Sequence, residues 1–298
     1  MALLLDPVVV RVPATSANLG PGFDALGLAL TLYDEVEARV TTDGVNVEVT
    51  GEGEGQLPGD ASHLVVRAMR RAFDRLGEHP AGLALRCRNR IPQARGLGSS
   101  SAAIVAGIVL ARALVQDGAE RLDDVAALAL ADEIEGHPDN VAPCLLGGFT
   151  IAWGERGRAA AVRLEPAEDV HPVLFVPEVR GLTEEARAAL PKTVPHADAA
   201  FNAGRSALLV HALTSAPGLL FAATEDRLHQ GYRAEGMPLT ASLLARLRDE
   251  GVAAVVSGAG PSVLAFGTGG WTPRAVPGWR VLPLDVDMRG ARLGGDLG

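Results

Sequence analysis

One short segment constrains the fold of this chain more than any other, the residues GLGSSSAA at positions 96–103. Apolar residues alternate before it at Leu83, Leu85 and Cys87, and small or apolar residues dominate positions 102–114 after it. The pattern predicts a strand, a glycine–serine loop and a helix. Glycine lets a backbone approach an anion closely, and the start of a helix offers unpaired N–H groups and the positive end of the helix dipole. The loop is therefore a candidate phosphate-binding site.

The loop is not the phosphate loop of the P-loop NTPases. A Walker A loop needs a lysine directly after its second glycine. Lys192 is the only lysine among the 298 residues, and no glycine lies near it in the sequence. Taken alone, the segment 96–103 would equally fit a glycine-rich turn closed by a serine cap. Other segments of the chain are therefore needed to choose between a phosphate-binding loop and a capped turn.

The composition favours a globular enzyme. Hydrophobic residues make up 48% and charged residues 21% of the chain, which is enough apolar material for a packed core. The net charge of −9, without a basic cluster, argues against a nucleic-acid partner. No apolar run reaches the roughly 20 residues that span a bilayer, and residues 1–12 lack a signal-peptide pattern. With only two cysteines, Cys87 and Cys144, a cytoplasmic protein without a membrane partner is expected.

Strands and helices are mixed without a regular βαβ alternation, so an α+β fold is predicted. Alternating residues on both sides of Asp43-Gly44 predict a β-hairpin over 35–49, and Ser62 is expected to cap a helix that ends at Gly77. Further helices are predicted near 123–135, 183–190, 201–214 and 240–250, and further strands near 149–153, 171–176, 253–256, 263–266 and 280–284. The polar stretch 154–158 predicts a boundary between lobes 1–155 and 156–298.

Two other glycine-containing segments lie near the two ends of the chain. Residues 13–24, PATSANLGPGFD, follow a predicted strand at 8–12, and residues 257–262, SGAGPS, join two predicted strands. Each alone would be a turn or a hairpin connection. Together with 96–103, and in this order, they resemble the three sequence motifs of the GHMP kinase family. The resemblance covers most of the chain and implies a two-lobed fold.

In that fold, the N-terminal lobe binds ATP and contains a left-handed βαβ unit, contrary to the usual rule. The C-terminal lobe is an α/β sandwich-like unit. The resemblance implies that the loop wraps the ATP phosphates, with nucleotide contacts from Pro92, Arg95, Gly96, Leu97, Gly98, Ser99, Ser100, Ser101 and Ala102. It also implies Mg²⁺ bound by Ser100 and by a glutamate late in the helix that ends at Gly136. Glu133 and Glu135 compete for this role, and Glu133 is preferred because Glu135 abuts the turn.

Four segments resemble the branch of the family that phosphorylates L-homoserine for threonine biosynthesis: 13–20, PATSANLG; 135–143, EGHPDNVAP; 183–191, TEEARAALP; and Tyr232-Arg233. The resemblance implies an acceptor site formed by Asn18, Asp24, His137, Arg187, Arg233, Gly258 and Gly260, and catalytic residues Ser100, Glu133, Asn140 and Thr183. The two arginines suit a carboxylate and the aspartate an ammonium group, while the Asn18 amide suits the hydroxyl end. A helix cap for His137 and a solvated position for Arg187 are the structural alternatives. Because relatives are often dimers, a homodimer is also expected.

No general base is predicted for the transfer. Relatives such as mevalonate kinase place an aspartate where this sequence has Asn140. Catalysis is then expected to depend on in-line positioning and on electrostatic stabilisation by Mg²⁺ and the loop amides. Two alternatives remain at this point: a kinase of the same family with mevalonate, phosphomevalonate, shikimate or a sugar as acceptor, and a catalytically silent member that binds a metabolite.

Overall fold

The computed structural model describes residues 3–155, 157–181, 183–267 and 271–294. The strands are β1 (Val8–Ala17), β2 (Leu26–Thr41), β3 (Val45–Gly51), β4 (Gly82–Asn89), β5 (Phe149–Glu155), β6 (Arg158–Leu164), β7 (His171–Pro177), β8 (Ala253–Val256), β9 (Val263–Gly267), β10 (Trp279–Pro283) and β11 (Arg292–Leu293). The helices are α1 (Leu64–Leu76), α2 (Ser99–Ala113), α3 (Gly118–Arg121), α4 (Asp124–Glu135), α5 (Pro138–Leu146), α6 (Thr183–Ala188), α7 (His196–Thr214), α8 (Leu220–Ala223), α9 (Gln230–Arg233) and α10 (Pro238–Asp249). The predicted α+β class is confirmed.

A seven-stranded sheet forms the first lobe, and the long strand β2 is its centre. One edge of β2 pairs with β1 along almost its whole length. The other edge pairs with β5 at residues 26–28 and with β4 at residues 35–41. Between these two pairings, the N–H group of Thr31 donates a hydrogen bond to the carbonyl of Asp285 at 3.0 Å. The C-terminal segment therefore returns to the first sheet, where β11 also pairs with β1.

The predicted hairpin over residues 35–49 is wrong, although both of its strands exist. Strand β4 lies between β2 and β3, pairing antiparallel with β2 and parallel with β3. A Cβ atom at Gly82, the first residue of β4, would overlap the carbonyl of Asp43, so β4 starts directly against the connection between the other two strands. Alternation identifies a half-buried strand but not its partner, which explains the error. The result is a βαβ unit, β3–α1–β4. The left-handedness of its crossover connection stays a prediction.

Helix α2 is the central element of the helical layer on this sheet. It packs against α1, α4, α5 and β1. Ten of its 15 residues are buried, which is typical of a helix packed on several sides and explains its small, apolar sequence. A Cβ atom at Gly107 would lie 2.7 Å from the Ala68 Cβ, so glycine at this position sets the close approach to α1. The loop that precedes α2 is thus held by a rigid core.

The start of α1 differs from the prediction. His63, not Ser62, is the N-cap, and its Nδ1 accepts a hydrogen bond from the Val65 N–H at 3.3 Å. Ser62 donates instead to the Asp60 carboxylate at 2.7 Å. The predicted end of the helix at Gly77 is confirmed, because Gly77 adopts the left-handed conformation.

The second lobe contains a four-stranded antiparallel sheet in the order β10-β7-β9-β8, against which α8 and α10 pack. The predicted boundary after residue 155 falls between β5 and β6, which pair with each other in the first sheet. The structure therefore places the change of sheet between β6 and β7. A stretch of polar residues and glycine suits a hairpin connection as well as a linker, which explains the error. Among the described residues, no helix is long and apolar enough to cross a membrane.

Candidate functional site

The three glycine-containing segments meet at one cleft of about 180 Å³. Most of the predicted site residues line it: Asn18, Asp24, Pro92, Arg95, Gly96, Leu97, Gly98, Ser99, Ser100, His137, Asn140, Arg187, Arg233 and Gly258. Glu135, the alternative to Glu133, also lines it, as do Asp139, Ala94 and Ala259, which the sequence does not predict. The side chain of Thr183 lies outside the described residues. The sequence thus predicted the main composition of the cleft.

Glycine at positions 96 and 98 brings the three segments into contact. Both residues have positive φ angles, 71° and 68°. A Cβ atom at Gly96 would overlap the Ser257 carbonyl, and one at Gly98 would overlap the Thr15 hydroxyl. The Ser257 hydroxyl donates to the Gly96 carbonyl at 2.7 Å. The close approach is therefore made between protein segments, in addition to any approach to a ligand.

The start of α2 has the form that the phosphate-loop prediction requires. Gly98 is the N-cap and provides no side-chain hydrogen bond to the first-turn N–H groups. Ser100 and Ser101 do not act as caps, because their hydroxyls donate to the Glu135 carboxylate at 2.8 Å and 2.7 Å. Uncapped amides at the positive end of a 15-residue helix are suited to an anion.

The expected pairing of Ser100 with Glu133 does not form, and Glu135 takes that place. The carboxylate of Glu133 lies on the far side of α4, where it binds Arg71 and also Arg75 at 2.6 Å. Two residues along a helix rotate a side chain by more than half a turn, so only one of the two glutamates can face the cleft. Glu135 faces it even though Gly136 ends the helix. Proximity to the turn was therefore a misleading criterion.

Two arginines and one aspartate form another charged part of the cleft lining. Arg187 makes a two-point ion pair with Asp24, with Nη2–Oδ1 and Nη1–Oδ2 distances of 2.8 Å and 3.1 Å. This hydrogen bonding raises the pKa of Arg187 above its ordinary value. Arg233 is only 2% exposed, and burial lowers its pKa. Both guanidinium groups lie over the Phe23 ring, at 5.8 Å and 5.4 Å from its centre. Arg187 is therefore not the freely solvated residue of the alternative interpretation.

Asn18 holds the first segment in place. Its Nδ2 donates to the Gly258 carbonyl at 2.8 Å, and its Oδ1 accepts the N–H of Asp24 at 2.9 Å. Asn18, Leu19 and Asp24 all have positive φ angles, which is unusual for residues other than glycine. Such backbone conformations persist only where surrounding contacts enforce them, and they concentrate at functional sites.

His137 and Asp139 form a pair that the sequence did not reveal. His137 precedes α5 but makes no side-chain cap bond. Its Nδ1 lies 2.9 Å from Oδ1 of Asp139, which is only 2% exposed. This hydrogen bond raises the pKa of His137. In sequence, an aspartate in the first turn of a helix indicates only a favourable interaction with the helix dipole, so no signal distinguished Asp139. Asn140 accepts a hydrogen bond from the Thr15 hydroxyl at 2.8 Å.

Besides Glu133, three predicted residues do not line the cleft. Ser101 is fully buried beneath it, and Gly260 packs where a Cβ atom would overlap Met237. Ala102 lines a neighbouring pocket of about 380 Å³, which shares Ala94, Ser99 and Ser100 with the cleft. Its walls are mainly apolar, with the side chains of Asn89 and Gln93 among the polar groups. The sequence did not predict this pocket, because its residues come from distant segments of the chain.

Comparison with known proteins agrees with this geometry. Residues 63–148 match the family model described as "GHMP kinases N terminal domain". The homoserine kinases of Streptomyces avermitilis and Streptomyces coelicolor are each 59% identical to the chain over 288 residues, covering 95% of it and 94% and 93% of their own lengths. The crystal structure of homoserine kinase from Cytophaga hutchinsonii superposes with a TM-score of 0.85 at 28% identity, covering 98% of this chain and 99% of that one. The chain therefore belongs to the homoserine kinases of the GHMP kinase family.

Proposed function

We propose that the cleft transfers the γ-phosphate of ATP to the hydroxyl of L-homoserine, giving O-phospho-L-homoserine and ADP in threonine biosynthesis. One observation carries the proposal: uncapped helix amides and a serine–glutamate pair line the same cleft as an arginine–aspartate set. The first group suits phosphates, and the second suits an amino acid. A kinase with an amino-acid acceptor needs both.

For the nucleotide, the phosphates would lie against residues 96–101. The adjoining apolar pocket is the proposed site of the base, because it opens beside Ser99 and Ser100 and its walls suit an aromatic ring. Arg95 would act indirectly, since its guanidinium donates to the carbonyls of Gln93 at 2.8 Å and Pro177 at 2.9 Å and to that of Glu178. These bonds tie the loop to the end of β7.

Ser100 and Glu135 are the proposed protein ligands of Mg²⁺. Both offer hard oxygen donors, the kind that this ion prefers. No group of three or more His, Cys, Asp or Glu side chains that could hold a metal occurs in the described part of the chain. That fits Mg²⁺, which usually takes one or two protein carboxylates and completes its shell with phosphates and water. When bound, the ion would neutralise charge on the phosphate oxygens.

The proposed acceptor-binding residues match the two charges of an amino acid. Asp24 and Arg187 pair with each other in the structure. A bound zwitterion would offer its ammonium to Asp24 and its carboxylate to Arg187 and Arg233, so each charge would keep an opposite partner. Neither mevalonate nor a sugar provides an ammonium group for Asp24. The arrangement thus favours homoserine over those acceptors.

Positioning is the proposed basis of the rate enhancement. Asn140 is engaged with Thr15, and Asp139 with His137, which fixes the walls around the acceptor hydroxyl. A loose phosphoryl transition state requires mainly alignment and stabilisation of charge, so the hydroxyl proton would leave late, to a phosphate oxygen or through water.

The test is coupled ADP release with Mg-ATP and a panel of L-homoserine, mevalonate, shikimate and galactose. We expect turnover with L-homoserine only. Turnover with mevalonate but not with L-homoserine would sink the assignment of the acceptor. Binding of ATP and L-homoserine without any turnover would favour the catalytically silent alternative instead.

A further inference from the structure

A fully buried histidine lies behind the proposed acceptor-binding residues of the cleft. His229 is 0% exposed and stands between the first glycine-containing segment and Arg233. Its Nε2 lies 2.7 Å from the Gly20 carbonyl oxygen, and its Nδ1 lies 3.1 Å from Nη1 of Arg233. The ring also packs against Phe23, with 5.2 Å between the ring centres. One side chain thus connects the first glycine-containing segment to an arginine that lines the cleft.

The two hydrogen-bond partners determine the protonation state and the tautomer of this imidazole. A carbonyl oxygen can only accept a hydrogen bond, so Nε2 must carry the hydrogen. A guanidinium group can only donate, so Nδ1 must have its lone pair free. His229 is therefore neutral, with the hydrogen on Nε2. Burial, which lowers the pKa of His229, acts in the same direction. The carboxylate of Asp226 approaches Nε2 only to 3.8 Å and accepts the N–H groups of residues 228–230.

A neutral imidazole gives Arg233 no ionic partner, although the carboxylates of Asp24, Asp226 and Asp139 act on its charge from a longer distance. Nε of Arg233 donates to the Ala186 carbonyl at 3.0 Å, and Nη1 donates to His229 and, at 3.4 Å, to the Gly258 carbonyl. All three acceptors are uncharged, and Arg233 has no ion pair within the described ranges of the chain. Arg187 differs, since Asp24 neutralises it. Burial strengthens the attraction of such a cation for an anion that enters the cleft.

We propose that His229 is a positioning residue for Arg233: it fixes the guanidinium group toward the cleft and, being neutral, keeps its charge available for the carboxylate of the acceptor. The inference rests on the proposed function, which supplies that carboxylate. A carboxylate side chain at position 229 would hold Arg233 equally well but would neutralise it. Geometry and charge can therefore be tested separately.

The test compares three variants by steady-state kinetics. His229→Gln keeps one donor and one acceptor, so we expect its KM for L-homoserine to stay within about 3-fold of the wild-type value. His229→Glu and His229→Leu should raise this KM by about 10- to 100-fold, the equivalent of one charge-assisted hydrogen bond. The KM for ATP should change little in all three. Equal KM values for His229→Gln and His229→Glu would overturn the proposal.

A second substrate analogue separates positioning from a general loss of structure. In L-2-amino-1,4-butanediol, an uncharged CH₂OH group replaces the carboxylate, and its affinity is measured as an inhibition constant against L-homoserine. We expect His229→Leu to weaken the binding of L-homoserine far more than the binding of the diol. Equal weakening of both would show a merely structural role and overturn the proposal.

The tautomer is measurable without any turnover. Two-bond ¹H–¹⁵N correlation spectra of the wild-type protein should show His229 neutral with the hydrogen on Nε2. A charged ring, or a hydrogen on Nδ1, would overturn the proposal even if L-homoserine is the acceptor. Wild-type protein with the expected tautomer but without L-homoserine turnover would instead contradict the proposed function.

Discussion

At the scale of single residues, Glu133 and Glu135 provide a matched pair of variants on one helix. Glu135→Gln removes a carboxylate beside Ser100, and we expect kcat/KM to fall by about 10²-fold or more and the requirement for Mg²⁺ to rise. Glu133→Gln loses only partly exposed ion pairs with Arg71 and Arg75, which are worth at most about 1 kcal/mol. Its kinetics should match the wild type. Full activity of Glu135→Gln, with loss in Glu133→Gln, would restore the prediction made from sequence.

The absence of a general base is a second residue-level prediction. His137→Ala and Asn140→Ala each remove a contact within the cleft wall. If both residues act by positioning, each variant should lose less than the roughly 10²–10⁴-fold in kcat that removal of a general base costs. The measurement is kcat as a function of pH. A larger loss, together with disappearance of an acidic limb from the wild-type profile, would identify a base.

At the scale of elements, the contact between the loop before α2 and residues 257–262 can be tested at Gly96. Its φ of 71° nearly equals the 68° of Gly77, but a Cβ at Gly77 meets open space whereas one at Gly96 meets backbone atoms of the third segment. Gly77→Ala should therefore cost about 1–2 kcal/mol of stability and leave the kinetics unchanged. Gly96→Ala should cost about 1–3 kcal/mol more and raise the KM for ATP. Identical kinetics and stability in the two variants would show that the segments do not depend on this contact.

The side chain of Asp34 on β2 forms hydrogen bonds to the residues that follow β4. Its environment leads us to expect that the stability of the protein depends on pH. Its Oδ1 accepts the N–H groups of Arg90 at 2.6 Å and Ile91 at 2.9 Å, and burial raises its pKa from 3.8 to about 7. Because the folded state binds this proton more tightly than the unfolded state, the group stabilises the fold at low pH. That stabilisation is lost as the pH rises from about 4 to about 7.

Asp34→Asn keeps an acceptor oxygen but does not titrate. The variant should therefore be more stable relative to the wild type at about pH 8 than at about pH 5, so the difference between its free energy of unfolding and that of the wild type becomes more positive as the pH rises. Urea unfolding of both proteins at the two pH values measures this difference. A relative stability that is independent of pH would mean that the Asp34 carboxyl titrates normally in the folded protein.

The same elements show how far the sequence could predict the fold. Periodicity located α2, α4 and β8 closely, because each has one dominant burial pattern. It could not place β4 between β2 and β3, because pairing depends on contacts between distant segments. For the site, the motifs brought together the cleft residues, but the choice between Glu133 and Glu135 depended on which face of α4 meets α2. His229 and Asp139 were missed because a buried polar residue has no pattern of its own.

At the scale of the whole molecule, the chain forms two lobes that share one large apolar cluster. Residues of both sheets contribute to it, including Leu28 and Val36 from the first and Leu174 and Leu264 from the second. The cleft lies where segments of both lobes meet, and both the loop before α2 and the pair Arg187 and Arg233 line it. A continuous core therefore fixes the proposed phosphate-binding residues relative to the proposed acceptor-binding residues. The homodimer stays a prediction.

The central claim is that the protein phosphorylates L-homoserine in this cleft. Identification of the reaction product tests it most directly. The wild-type protein is incubated with Mg-ATP and L-homoserine and followed by ³¹P NMR. We expect the signals of ADP and of the phosphate monoester O-phospho-L-homoserine to grow one for one, and only when L-homoserine is present. Formation of inorganic phosphate alone, or of a monoester from mevalonate, shikimate or galactose but not from L-homoserine, would contradict the proposed reaction.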